Sequence, residues 1–339
     1  MAPRYDALLL VSFGGPEGPD DVMPFLRNVV RGRDVPEERL RQVASQYGHF
    51  GGVSPINDQC RALMKGLREE LDRHGPRLPL YWGNRNWRPM LTETLRAMAR
   101  DGVRRALAFA TSAYGSWSGC RQYLDDIAQA RLEVGEGAPE VDKLRVYYNH
   151  PGFVEPLVEL THTALERIDP PRRGDARLVF TAHSLPRALA ATSDYEAQLS
   201  ETAGLVAGEL GRPDWSLVYQ SRSGPPAQPW LEPDIVDHLR MLAADGVRDV
   251  VVAPIGFISD HMEIVYDLDL QAKSRAVELG LNMVRAATVG THPRFVRMIR
   301  ELIDERLTDV PVRLHLGSRG PAPDLCPPGC CPGPHRQSG

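Results

Sequence analysis

The sequence predicts a doubly wound α/β protein of two similar halves that face each other across a cleft, and three observations predict it. Short apolar runs alternate with segments of helical spacing along most of the chain. The runs carry little polar alternation, the pattern of parallel strands covered by helices on both faces. A repeat then relates the halves: DGVRRALAFATSAYGS at 101–116 and DGVRDVVVAPIGFISD at 245–260 share DGVR ahead of a buried strand and a polar turn. In the same order LLLVSFGGP (8–16) parallels LVFTAHSLP (178–186), and YWGNR (81–85) parallels YQSRS (219–223).

Taken in order, the apolar runs predict strands at 6–13, 78–83, 104–112, 144–149, 176–183, 215–221, 248–257 and 282–289. Between them, NDQCRALMKGLREEL and DYEAQLSETAGLVAGEL place apolar residues at helical intervals. The expected division is a first domain over 1–150, a second over 151–312 whose last helix packs on the first, and a Pro/Gly/Cys-rich tail over 313–339.

Composition sets the function class. The 339 residues are 42% apolar and 25% charged with a formal net charge of -4, so no basic field is present to hold nucleic acid. No secretory signal opens the chain, and VVVAPIGFI (250–258) is far shorter than the ~20 apolar residues that span a bilayer, which predicts a cytoplasmic protein without a transmembrane segment. Of five cysteines, Cys326, Cys330 and Cys331 crowd into DLCPPGCCPGP while Cys60 and Cys120 stand apart. That distribution favours metal binding over a disulfide framework, and Cys60, on an apolar helix face, reads as core.

Open parallel sheets bind ligands beyond the carboxyl ends of their strands. His183, in TAHSLP, sits at such an end, as do Phe13, Tyr114 and the turn ISDHME (258–263). A lone histidine there is ordinarily a turn or capping residue, but a second strand end adds a row of acids: Glu263, Asp267 and Gln271 recur every four residues and share a face if helical. Such a row is either a solvated acidic face or a path for protons or hydrated cations. Ile264, Val265 and Leu268 put an apolar stripe beside it. A carboxylate opposite a histidine in a closed cleft suits a divalent metal or general-base work.

Five motifs, LLLVSFGGPEGPDDVMPFL, GGVSPIN, TAHSLP, YQSRSGPPAQPWLEPD and APIGFISDHMEIVYDLD, occur in an order that resembles the ferrochelatases from about residue 5 to 310. The resemblance implies the chelatase fold, two Rossmann-like domains with a porphyrin cleft between them, and insertion of Fe(II) into a porphyrin. It implies that His183 and Glu263 are the catalytic pair and hold Fe2+, with Asp267 on the proton or metal path. Ser54 and Tyr123 are implied as hydrogen-bond donors to substrate propionates, with Tyr47, Arg31 and Phe13 as further substrate-binding residues. Ser54 also suits an N-cap ahead of Ile56.

Departures from the family pattern are Phe13, where some relatives carry an iron-ligating tyrosine, Gln46 in place of an arginine, and Gln271 in place of a third acid. Cys120, Cys326, Cys330 and Cys331 resemble the four-cysteine pattern of actinobacterial ferrochelatases, which implies a 2Fe-2S cluster, though four thiolates also suit zinc. That subgroup implies coproporphyrin III as substrate and coproheme as product. A transient contact with a coproheme decarboxylase and a monomeric state are further expectations. The alternatives are a protoporphyrin IX ferrochelatase and a non-catalytic haem- or porphyrin-binding protein.

Overall fold

The structure, a computed structural model, describes residues 5–224, 227–327 and 329–333. Pro225 and Pro226 of the YQSRSGPPAQPW motif, and positions 328 and 334–339 of the tail, lie outside the described residues.

The strands are β1 (Ala7–Ser12), β2 (Leu80–Asn84), β3 (Arg105–Ala110), β4 (Glu140–Lys143), β5 (Arg177–His183), β6 (Trp215–Gln220), β7 (Asp249–Ala253) and β8 (Asn282–Arg285). They form two four-stranded sheets, ordered β2-β1-β3-β4 and β6-β5-β7-β8. Every pairing is parallel, as strands without polar alternation require. The repeat is structural: β1 and β5, β2 and β6, and β3 and β7 hold equivalent places in the two sheets.

One prediction fails. Residues 144–149 form no strand, and the fourth strand of the first sheet is the preceding polar stretch Glu140–Lys143. Burial explains the misreading. Leu144, Tyr147 and Tyr148 are buried, but they are buried where the chain crosses between the sheets, and Tyr147 stacks on Phe109 at 5.1 Å rather than joining a ladder. The true strand is at the sheet edge, where polar side chains are tolerated.

A single hydrophobic cluster runs through both halves, from Leu8 and Phe109 to Phe180 and Phe295. The Tyr114 hydroxyl donates to the Ile255 carbonyl at 3.0 Å and so ties the end of β3 to the end of β7. Tyr114 is therefore a buried strut and not a residue of the open rim. The helix Pro293–Leu307 packs on Ile56–His74 and Pro151–Glu166. Its Glu305 takes two hydrogen bonds from Arg145, at 2.7 and 2.9 Å, with both side chains buried. A pair satisfied on this many sides fixes register at little net gain in stability, but loss of one partner would strand a buried charge.

Candidate functional site

His183 is the last residue of β5, where the buried run RLVFTA ends and the imidazole emerges half-buried into the cleft. Its surroundings fix the ring. Nδ1 lies against the Ser184 carbonyl, which makes it the donor there, and Nε2 is left facing Glu263 Oε1 at 3.1 Å. Behind it, the buried Tyr195 hydroxyl donates to the His183 carbonyl at 3.0 Å.

Glu263 comes from the second sheet's other strand end. His261 caps the short helix Met262–Val265 by accepting from the Glu263 amide at 3.2 Å, and a π-helix follows over Asp267–Ala272. Such i→i+5 turns are rare and concentrate at functional sites. Glu263 thus sits between two imidazoles, with His261 Nδ1 at 3.7 Å from its second oxygen. No role falls to His261 from the sequence, although it stands inside the same motif. Gln271 points out to solvent, so the acidic row ends at Asp267.

The electrostatics are those of an ion pair recessed in the cleft. Burial opposes charge on His183, but the Glu263 carboxylate outweighs it and lifts the imidazole to about 9. Burial likewise opposes charge on Glu263, and His183 overrides it to bring the carboxyl down to about 2. Asp267 behaves differently: burial, reinforced by the charge of Glu263, raises it to about 7 despite a hydrogen bond from Ser221. At neutral pH the site therefore holds an imidazolium, a carboxylate and a second carboxyl near its midpoint.

The other predicted substrate residues are dispersed. Phe13 faces solvent in part and meets Phe25 edge-on at 6.2 Å, and Phe25 meets Tyr47 at 6.1 Å. Tyr47 and Phe25 are buried together with Met262, so this aromatic lip closes against the acidic helix, and burial, with the nearby Glu263 charge, raises the Tyr47 phenol. Ser54 and Tyr123 are buried at 4% and 5% exposure, below the rim. Tyr123 lies under the Arg85 guanidinium at 4.6 Å, and its hydroxyl is 3.4 Å from Thr111 Oγ1. Arg31 is exposed and bonds Asn28 at 3.2 Å.

The tail folds back so that its cysteines approach Cys120. Cys120 is buried in the π-turn Trp117–Arg121, whose first turn is capped by the Ser116 hydroxyl accepting from Gly119 at 2.9 Å. Its thiol hydrogen-bonds Cys326, raising Cys120 and lowering Cys326; Cys326 also contacts Cys330, and Cys330 Sγ is 3.4 Å from Cys331 Sγ. These are pairwise contacts in a chain: among the described residues no three His, Cys, Asp or Glu side chains converge as a formed metal site. The donor set nonetheless fits a thiolate-bound cluster, with soft ligands from two chain regions already within reach of one another. Cys60 is a core residue, and burial pushes its thiol up to about 11.

The proline-rich tail is ordered by more than its cysteines. Leu316 bonds the Asn149 carbonyl at 2.8 Å, and the Ser318 and Arg319 amides both donate to Glu201 Oε1 at 3.0 and 3.1 Å. Gly317 makes this possible: at φ 73° it passes so close to Glu201 that a Cβ would lie 2.4 Å from the carboxylate.

A family model described as ferrochelatase matches residues 5–307. Among curated proteins, the ferrochelatase of Rhodopirellula baltica is 53% identical over 97% of this chain and 94% of its own length. The coproporphyrin III ferrochelatases of Streptomyces griseus and Frankia alni are 53% and 54% identical, over 97% and 99% of this chain and 93% and 89% of theirs. Among solved structures, the sirohydrochlorin chelatase of Bacillus subtilis subspecies spizizenii in complex with cobalt superposes with a TM-score of 0.54 over 89% of this chain and 95% of its own. At 10% identity it shows the shared fold alone.

Proposed function

The chain belongs to the ferrochelatase family, and from that premise we propose that it inserts ferrous iron into coproporphyrin III to give coproheme in haem biosynthesis. The observation that carries the chemistry is the 3.1 Å pair of His183 Nε2 and Glu263 Oε1 at the cleft. Insertion releases two pyrrole protons, so the site must hold a divalent cation and take up protons. In the resting pair a proton occupies Nε2. An arriving ferrous ion therefore exchanges for that proton at the His183 nitrogen, and Glu263 supplies a carboxylate oxygen as the second donor. Asp267, near its midpoint at neutral pH, is the group suited to accept protons and pass them outward. Phe13, backed by the buried Phe25, Tyr47 and Met262, supplies apolar area to grip the macrocycle, with Arg31 on the exposed rim and Ser54 and Tyr123 below it as the donors for its propionates.

The halves 1–150 and 151–312 are read as the two jaws of the cleft. Cys120, Cys326, Cys330 and Cys331 are the residues that would hold a 2Fe-2S cluster. When bound, that group supplies a redox-active centre whose ligation cross-links the tail to the first half. The protein is further read as a cytoplasmic monomer that passes its product to a decarboxylase. The test is an anaerobic assay with Fe(II) and either coproporphyrin III or protoporphyrin IX, followed at the Soret band. Faster turnover of coproporphyrin is expected, equal or faster turnover of protoporphyrin would overturn the substrate assignment, and turnover of neither would return the chain to a porphyrin-binding role.

A further inference from the structure

We infer that Gln220 is the positioning residue that sets the acidic helix against His183, an inference that rests on the assignment of His183 and Glu263 as the inserting pair. Gln220 ends β6 as His183 ends β5, and the two are register partners across the parallel ladder. In that register both side chains leave the same face of the sheet. Val179 and Val218, two strand positions or more behind them on that face, are packed under Ile264 and Leu268 of the acidic segment. Gln220 is thus the last residue of the sheet beneath the start of that segment.

Its bonds reach both members of the pair. The Gln220 main-chain carbonyl accepts from the Ser184 amide at 2.8 Å, which fixes the chain just after His183. The Gln220 side-chain amide donates to the Glu263 carbonyl. The next residue continues the grip: Ser221 donates to the Asp267 carboxylate from a left-handed backbone at φ 64°, a region non-glycine residues rarely enter. Two consecutive residues therefore hold Glu263 and Asp267, one by its backbone and the other by its side chain.

Stability alone accounts poorly for this residue. Gln220 is 1% exposed, and its Oε1 has no hydrogen-bond partner among the described residues. A buried acceptor left unpaired is destabilising, and an apolar side chain of similar length would fill the same space without it. What an apolar residue could not do is hold the Glu263 carbonyl, which lies where the short helix gives way to the π-helix and regular bonding is interrupted.

The discriminating variant is Gln220→Met, which keeps length and volume and removes the donor. Expected are a fall in kcat for iron insertion of tenfold or more, a porphyrin Kd from fluorescence quenching within twofold of wild type, and a displaced His183 Nε2 resonance in ¹⁵N-histidine-labelled, porphyrin-free protein. The resonance is read without turnover, so it tests the positioning role even if the wild type inserts no iron. A lowered melting temperature with kcat and the His183 resonance unchanged would make Gln220 structural and overturn the inference. If the methionine variant does not fold, Gln220→Leu, which also lacks the donor and brings no charge, must show the same displaced resonance; a wild-type resonance there overturns it equally.

Discussion

His183 Nε2 and Glu263 Oε1 stand 3.1 Å apart with the side chains 31% and 41% exposed, charged against each other yet open to the cleft. A pair made only for stability would gain little at such exposure. A pair that must exchange a proton for a metal needs this access. His183→Ala is therefore expected to lower iron insertion by at least about a hundredfold, in the range of a lost acid–base group, with porphyrin affinity retained. Glu263→Gln should also lower kcat, since shape is kept and charge is lost. A rise in the porphyrin KM alone would make Glu263 a binding group.

The same pair predicts a pH profile of stability. His183 is raised above the ordinary histidine value of 6.5, so its contribution is fully present below 6.5 and is lost as pH rises through about 9. Glu263 is lowered from 4.5, so its contribution is fully present above 4.5 and is lost as pH falls through about 2. The excess melting temperature of wild type over His183→Ala should then be largest between pH 4.5 and 6.5 and shrink on both sides. A flat difference from pH 4 to 10 would show that the two side chains are not coupled in solution.

Asp267 has the opposite sign. A carboxyl raised from 3.8 to about 7 resists ionisation in the folded state, so it destabilises progressively as pH rises from 3.8 and fully above 7. Asp267→Asn should melt higher than wild type above pH 7 and no higher below pH 3.8. Its insertion rate should nonetheless fall, because the amide cannot accept a proton. A variant that is neither stabilised at pH 8 nor slowed would remove Asp267 from the path.

Much of this was legible from residues, and the rest was hidden for physical reasons. His183 and Glu263 could be found because a strand end and a turn motif each announce themselves in sequence. β4 could not, since Glu140–Lys143 at the sheet edge is polar while the buried crossover after it is apolar. Gln220 and Glu201 act on backbone groups, one on the Glu263 carbonyl and the other on the Ser318 and Arg319 amides, and such partners leave no residue-type signature. The burial of Ser54 and Tyr123 belongs to tertiary packing: Gly15 approaches one so closely that a Cβ would lie 2.7 Å from Ser54 Cβ, and Arg85 covers the other.

That burial shapes a prediction on substrate choice. Coproporphyrin III has four propionates against two for protoporphyrin IX, so donors below the rim matter more for the first. Ser54→Ala and Tyr123→Phe should each weaken coproporphyrin binding by about 0.5 to 3 kcal/mol and protoporphyrin binding less, measured by fluorescence titration. Equal losses for both porphyrins would assign these residues to the shape of the first half and not to propionate recognition.

The tail is held in two independent ways, and this separates what the cysteines do from what the rest of it does. Residues 316–319 are bonded to Asn149 and Glu201, whereas the segment from Cys326 onward reaches the first half through Cys120. Ligation of a 2Fe-2S cluster by Cys120, Cys326, Cys330 and Cys331 would close a long loop and add folding free energy. Protein prepared without oxygen should be reddish-brown with about two inorganic sulfides per chain. Serine at any one of the four should bleach it, and Cys60→Ser should not, because that thiol is buried elsewhere in the core. In the bleached variants limited proteolysis should cut after about residue 320 and spare the 316–319 strap. Glu201→Gln should show the reverse, weakening the strap while the colour remains. A colourless anaerobic preparation with one zinc per chain would replace the cluster and keep its ligands, and proteolysis unaffected by any cysteine change would show that the thiols do not anchor the tail.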